Sequence, residues 1–191
     1  MSRSRAEPAL LALAIAYFAA VALGVFVDYG TDVLASSPDS LFNGEVWTLL
    51  TSALAVDGRL PLAQVAIAAL AAFGVIRIWG AIAWWGVVLT AHVGSALAVY
   101  LVIGIFEALG DRGAERVSDD LDYGVSIVLT GSLGALFATA LTRGPRSLAA
   151  VAAVGLIAFV PLSLDWYGLE HPLGFLFGAL FIVWWERRTA E

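Results

Sequence analysis

Apolar residues in this chain gather into long runs, and the polar residues fall between them. Six runs stand out: Ala9–Val27, Leu60–Ile78, Ile82–Ile105, Tyr123–Leu141, Leu148–Leu164 and Leu173–Trp185. Each has about the 17–25 residues that a membrane-crossing helix needs, the last one counting its flanks. The second run is weakest at its start, where Arg59 and Pro61 stand. Within a bilayer only helices or closed barrels satisfy their own backbone, so runs of this length predict an all-α bundle of six transmembrane helices. A seventh apolar stretch, Val46–Val56, is too short to cross and is expected to lie in the interface or re-enter. No internal repeat or long linker divides the chain, so residues 1–191 read as one domain.

The first run follows Arg3 and Arg5, as a signal peptide would. It is as long as a full span, and Asp28-Tyr29-Gly30 follows it instead of a small-residue cleavage site. It is read as a retained helix.

Composition agrees with a lipid-solvated chain. Apolar types make up 61% and charged types 14%, against about 45–50% and about 25% in soluble domains. There are 10 basic residues, all Arg, and 16 acidic ones. This balance suggests a high-salt setting, and with no basic stripe it argues against nucleic acid as a partner. The absence of Cys excludes thiol catalysis, disulfides and thiolate metal sites.

Charge position sets the expected topology. With six spans and the N-terminus inside, Arg3, Arg5, Arg77, Arg143, Arg146, Arg187 and Arg188 are cytoplasmic, and only Arg59, Arg112 and Arg116 are outside. That is the bias of the positive-inside rule. The acidic clusters fall outside, and Trp79, Trp84, Trp85, Trp184 and Trp185 fall at inner ends, where indoles favour the interface. Both termini are therefore expected in the cytoplasm, in the plasma membrane of a prokaryote.

Polar residues inside spans are costly and are functional candidates. Here they are His92, His171, Ser126, Thr130, Ser132, Ser95 and Gln64. Ser126 stands just inside the outer end of the fourth span, and His171 at the outer entrance of the sixth. A Ser–His pair at one depth is a minimal nucleophile and general base. The bland alternative makes Ser126 a helix N-cap and His171 an interfacial residue. Gly131 and Gly134 follow Ser126, and Gly174 and Gly178 follow His171. Small residues at this spacing let two helix backbones approach closely in lipid. His92 lies about 21 Å along its helix from the outer end, which places it too deep to join an outer site and makes it an interhelical hydrogen-bonding residue. Asp122 either caps the fourth helix or orients His171. Two distant His and no mid-span carboxylate build no metal site, so no metal or cofactor is implied.

These residues resemble the rhomboid family. Its nucleophile motif is Gly-x-Ser-Gly with glycines five and eight residues beyond the Ser. Gly124-Val125-Ser126 matches, and Gly131, Gly134 and Ala135 fall in register. The family's last core helix reads Ala-His-x-Gly-Gly-Phe-x-x-Gly, and His171, Gly174, Phe175 and Gly178 keep that pattern. Gly44–Ser52 resembles the interfacial loop after the first helix. The resemblance covers residues 9–186 and implies a six-helix rhomboid-like bundle in the lipid bilayer. It implies a serine protease that cuts transmembrane protein substrates with Ser126 and His171 and needs no cofactor.

The chain departs from the family at three places. Ile127 stands where a Gly follows the nucleophile, and Thr48 where an Arg follows Trp47. Pro61 and Val65 stand where active members carry the His-x-x-x-Asn that binds the oxyanion. Gln64 is a substitute donor one residue out of register, and backbone amides from Gly124 to Ser126 are another source. The alternative expectation is a non-catalytic rhomboid-like protein that binds transmembrane clients.

Overall fold

The computed structural model describes residues 6–27, 31–56, 60–144, 152–153 and 166–190. The helices among them are α1 (Glu7–Val27), α2 (Pro38–Phe42), α3 (Thr48–Thr51), α4 (Pro61–Trp79), α5 (Ala81–Ala108), α6 (Arg112–Val117), α7 (Val125–Thr142) and α8 (Glu170–Ala190). Among the described residues there is no strand, only a two-residue bridge between Ser36 and Asp122. The described residues are all-α, and among them five helices are long and apolar enough to cross a membrane. They are α1, α4, α5, α7 and α8. The fifth expected span, Leu148–Leu164, lies outside the described residues apart from Ala152 and Ala153.

The outside of the bundle is apolar. Leu11, Ile15, Leu23 and Phe26 on α1, and Ile67, Leu70 and Phe73 on α4, point away from the core, as side chains solvated by lipid do. The interior is built from small residues. Ala68, Ala71 and Ala72 of α4, Ala83 and Ala91 of α5, and Gly131, Gly134 and Ala135 of α7 are buried. Without a hydrophobic driving force in lipid, such residues hold helices together by close backbone contact. α7 is the central helix, and its contact with α8 is the most extensive among the described helices.

Local chemistry sets the helix ends. Pro61 opens α4, where a missing amide costs nothing. Gly80, at φ +90, ends α4 and turns the chain directly into α5. The Glu7 carboxylate accepts the Ala81 amide at the start of α5, so the starts of α1 and α5 share one face of the bundle. The ends of α4, α7 and α8 meet on that same face. There Arg143 lies over the Trp79 ring and pairs with Glu186.

Two of the expected interfacial indoles are placed differently. Trp84 is fully buried, with Nε1 donating to Ser132 Oγ at 3.2 Å. Trp85 is half-buried, with Nε1 donating to Leu10 O at 3.0 Å. Position at a span's end favours the lipid interface, but a partner across a helix contact also satisfies the indole N–H, and packing decided.

The opposite face carries a polar layer. α5 outruns α7: His92, halfway along α5, meets Gly124 at the start of α7, and the 16 residues from there to Ala108 extend about 24 Å further. Residues 31–56 and 110–124 pack around this extension. The ring of Phe42 lies over Gly104, and Ala114 joins the cluster of Val99, Tyr100 and Ile103. The two segments are joined to each other by Ser36 N to Asp122 O at 3.2 Å, Asp122 N to Ser36 O at 2.8 Å and Asp39 N to Ser118 O at 3.1 Å. The Val46–Val56 stretch is two consecutive helical turns, Thr48–Thr51 and Ser52–Leu54, with Val46, Trp47 and Leu50 exposed. It does not cross the bundle.

Candidate active site

α7 begins beneath this polar layer. Its N-cap is Gly124, with no side-chain cap bond, so neither Ser126 nor Asp122 caps the helix. The layer itself supplies the cap. The Gly124 amide donates to Ser52 O at 2.9 Å and the Val125 amide to Ala55 O at 3.4 Å. The Ile127 amide turns back to Gly124 O at 3.0 Å. The first amides of a helix have no intrahelical acceptor, and among the described residues that of Ser126 is left uncommitted. Ser126 is half-buried in this first turn, and its Oγ donates a long bond of 3.5 Å to Tyr123 O.

His171 occupies the first turn of α8 and is also half-buried. Helical spacing puts it on the same side as Gly174, Phe175 and Gly178, and that side packs on α7. A Cβ on Gly174 would meet Ile127 Cγ2 at 2.8 Å and Thr130 Oγ1 at 3.1 Å. A Cβ on Gly178 would meet Gly131 O at 2.1 Å, and one on Gly134 would meet Phe175 O at 1.9 Å. Numbers rise together along both helices, so α7 and α8 run parallel and their first turns are neighbours. The Ser126 hydroxyl nevertheless bonds to Tyr123 O, not to His171.

Gln64 sits near the start of α4, half-buried, and among the described residues its side chain makes no hydrogen bond. Pro61 is the first residue of α4, and Val65 is buried in the same core cluster as Val125 and Val128. Asp122 is buried and accepts from the Tyr100 hydroxyl at 2.9 Å, and its other side-chain partner is Glu170. Burial pushes its carboxyl above the ordinary aspartate range, while the Tyr100 hydroxyl, Glu170 and the Tyr123 backbone pull it down. Among the described residues no three His, Asp or Glu side chains converge as metal ligands would.

His92 is the residue that sequence reasoning misplaced. Its ring lies against Gly124, where a Cβ would fall 2.1 Å from Cε1, and its Nε2 is 3.1 Å from Ser52 Oγ. It is therefore level with the start of α7, two residues from Ser126. Counting rise along α5 assumed that α5 and α7 end at one height, and the overshoot of α5 removes that assumption. The resulting chain of contacts, His92 to Ser52 and Ser52 O to the Gly124 amide, fixes the turn in front of Ser126. Only glycine fits at 124. Comparison with known proteins finds no family model, no curated protein and no solved structure that matches this chain.

Proposed function

We propose that this chain is an intramembrane serine protease of the rhomboid type, a six-span bundle that hydrolyses peptide bonds in or beside transmembrane segments of other proteins. The observation that carries the reading is the parallel, backbone-to-backbone packing of α7 on α8, with Ser126 and His171 in adjoining first turns beneath the polar layer. Six spans fit the same packing, because α7 ends on one face and α8 begins on the other. In this reading His171 takes the hydroxyl proton of Ser126 as its oxygen attacks the scissile carbonyl. The new C–O bond puts charge on the carbonyl oxygen, and the Ser126 amide in the first turn of α7 is a donor for it. Collapse breaks the C–N bond, and the imidazolium returns its proton to the leaving amine. Water then attacks the acyl-enzyme, again with His171 as base. For this the Ser126 hydroxyl must leave Tyr123 O and turn to His171.

A fluorophosphonate probe tests this directly. The wild type should be labelled, and Ser126→Ala should not. Equal labelling of both overturns Ser126 as the nucleophile.

A second reading is a non-catalytic protein that binds transmembrane clients. Two observations favour it. Pro61 opens α4 and Val65 packs in the core, so neither replaces the oxyanion donors of active rhomboids. An apolar groove of about 410 Å³, lined by Leu13, Tyr17, Ala53, Leu54, Val88 and Leu89, opens between α1 and α5 and has room for a few apolar side chains of a client helix. A wild type that takes no probe yet crosslinks to single-span proteins supports this reading.

The proposed orientation places both termini in the cytoplasm and residues 110–121 outside. Of the Arg residues behind it, Arg77, Arg143, Arg187 and Arg188 lie within the described helices or at their ends, and Arg3, Arg5, Arg59 and Arg146 lie outside the described residues. The chain has no Cys, so single cysteines introduced one at a time report their side without background. A cysteine near Arg143 should react only after the membrane is permeabilised, and one at Arg112 should react in intact cells. Labelling of the Arg143 position in intact cells overturns the orientation.

A further inference from the structure

Two carboxyl groups meet away from water where the starts of α7 and α8 come together. Glu170 is 0% exposed and Asp122 is 8% exposed. Asp122 is held from both sides: its backbone pairs with Ser36, and its Oδ2 accepts from Tyr100, whose hydroxyl in turn lies 2.6 Å from Ser36 Oγ. The Glu170 carboxyl faces that of Asp122, and among the described residues neither of its buried oxygens has a hydrogen-bond donor. An ionised carboxylate only accepts, so two of them in contact need a proton between them. Like charges this close in a buried site do not both ionise.

We propose that Asp122 and Glu170 form a one-proton site that latches the first turn of α8 to the segment leading into α7. With the proton bound, one carboxyl donates to the other and the two segments are joined. Without it, two anions face each other, and the first turn of α8, which carries His171, is driven from Asp122. The proposal stands whether or not the chain is a protease.

Among the described residues, the groups around the pair are these. α5 contributes Tyr100, which already donates to Asp122. The segment before α2 contributes Ser36, with Asp32 farther out and held by the Tyr123 hydroxyl at 3.0 Å. The turn before α8 contributes Tyr167, whose hydroxyl donates to Val117 O and Asp120 O. Asp119 and Asp120 are exposed, and on α8 itself the next titratable group is His171. On α6, the Arg116 Nε donates to Arg112 O. Among the described residues the ion pair formed is Arg143 with Glu186, on the far face.

The folded chain keeps a proton that the unfolded chain releases near the usual carboxyl values of about 4. Above that pH the folded state binds more protons than the unfolded one, so stability falls as pH rises. Salt-bridged carboxylates do the opposite.

Thermal unfolding of the full chain in detergent, from pH 5 to pH 9 in sodium-free buffer, tests this. The wild-type Tm should fall by about 5 °C or more across the range. Glu170→Gln keeps a donor for Asp122 and cannot ionise, so its profile should be flatter and its Tm at pH 9 above that of the wild type. Asp122→Asn should flatten the profile too. A wild-type Tm that rises with pH, or a Glu170→Gln variant that keeps the wild-type slope, overturns the proposal. So does an alkaline loss that sodium or calcium reverses at constant ionic strength, which would mark a cation site. The infrared band of a buried protonated carboxyl in the wild type at pH 7 needs no variant. Its presence supports the site and its absence overturns it, even if the variants do not fold.

Discussion

Gly134→Ala should cost this protein more stability than any other single-methyl addition. The new Cβ would lie 1.9 Å from Phe175 O and 2.7 Å from Phe175 C, and both are backbone atoms of α8 that no rotamer change can move. Gly178→Ala meets the same obstacle from the other side, with Gly131 O at 2.1 Å. Overpacked cores typically lose about 1–3 kcal/mol, and a backbone clash belongs at or above the top of that range. For a chain of this size the melting temperature should drop by about 6–12 °C. Gly178→Leu should be worse, since the whole side chain must find room. Gly24→Ala is the internal control: nothing lies within 4 Å of its Cβ, so its melting temperature should stay near that of the wild type. If Gly134→Ala and Gly24→Ala melt together in detergent, α7 and α8 do not meet as described.

How far such contacts can be read in advance depends on what carries the information. The spans were legible because a run of apolar residues is itself the physical requirement for crossing lipid, and the observed ends of α1, α4 and α7 lie within two residues of the run boundaries. The small-residue spacing of Gly131, Gly134, Gly174 and Gly178 was legible for a similar reason, since close approach needs a missing side chain. Axial offset between helices was not. Run length says that a helix crosses, not where its neighbour begins, so α5 was read as ending at Ile105, and His92 was placed below a site that it in fact adjoins. Asp122 shows a second limit. Its local setting, just before a helix, suggests a cap, but its partners Tyr100 and Glu170 are 22 and 48 residues away, and that pairing exists only after folding. By sequence, Glu170 is one more acid between two apolar runs. The available signal was its place on the α8 face shared with Gly174, Phe177 and Phe181, because Phe177 and Phe181 pack on Gly94 and Gly86 of α5.

Cleavage of a transmembrane substrate by the purified protein should vanish in both Ser126→Ala and His171→Ala. Removing either member of a nucleophile–base pair typically lowers kcat by about 10⁴-fold or more, and the two losses should not add, because each disables the same proton transfer. His92→Ala should behave differently. It leaves nucleophile and base intact but loosens the turn that Ser52 and Gly124 form before Ser126, so a smaller loss is expected, together with a lower melting temperature. Gln64→Ala separates two sources of oxyanion stabilisation. If the Ser126 amide does this work, the variant should cleave at the wild-type rate. If the Gln64 side chain has taken over, kcat should fall by about 100–1000-fold with KM little changed, as loss of a transition-state donor does. Cleavage that survives Ser126→Ala assigns the activity to another nucleophile. A wild type that cleaves nothing, while remaining folded by the glycine measurements above, shifts the case to client binding. The packing of α7 on α8 would then serve to hold a surface together and not a reaction.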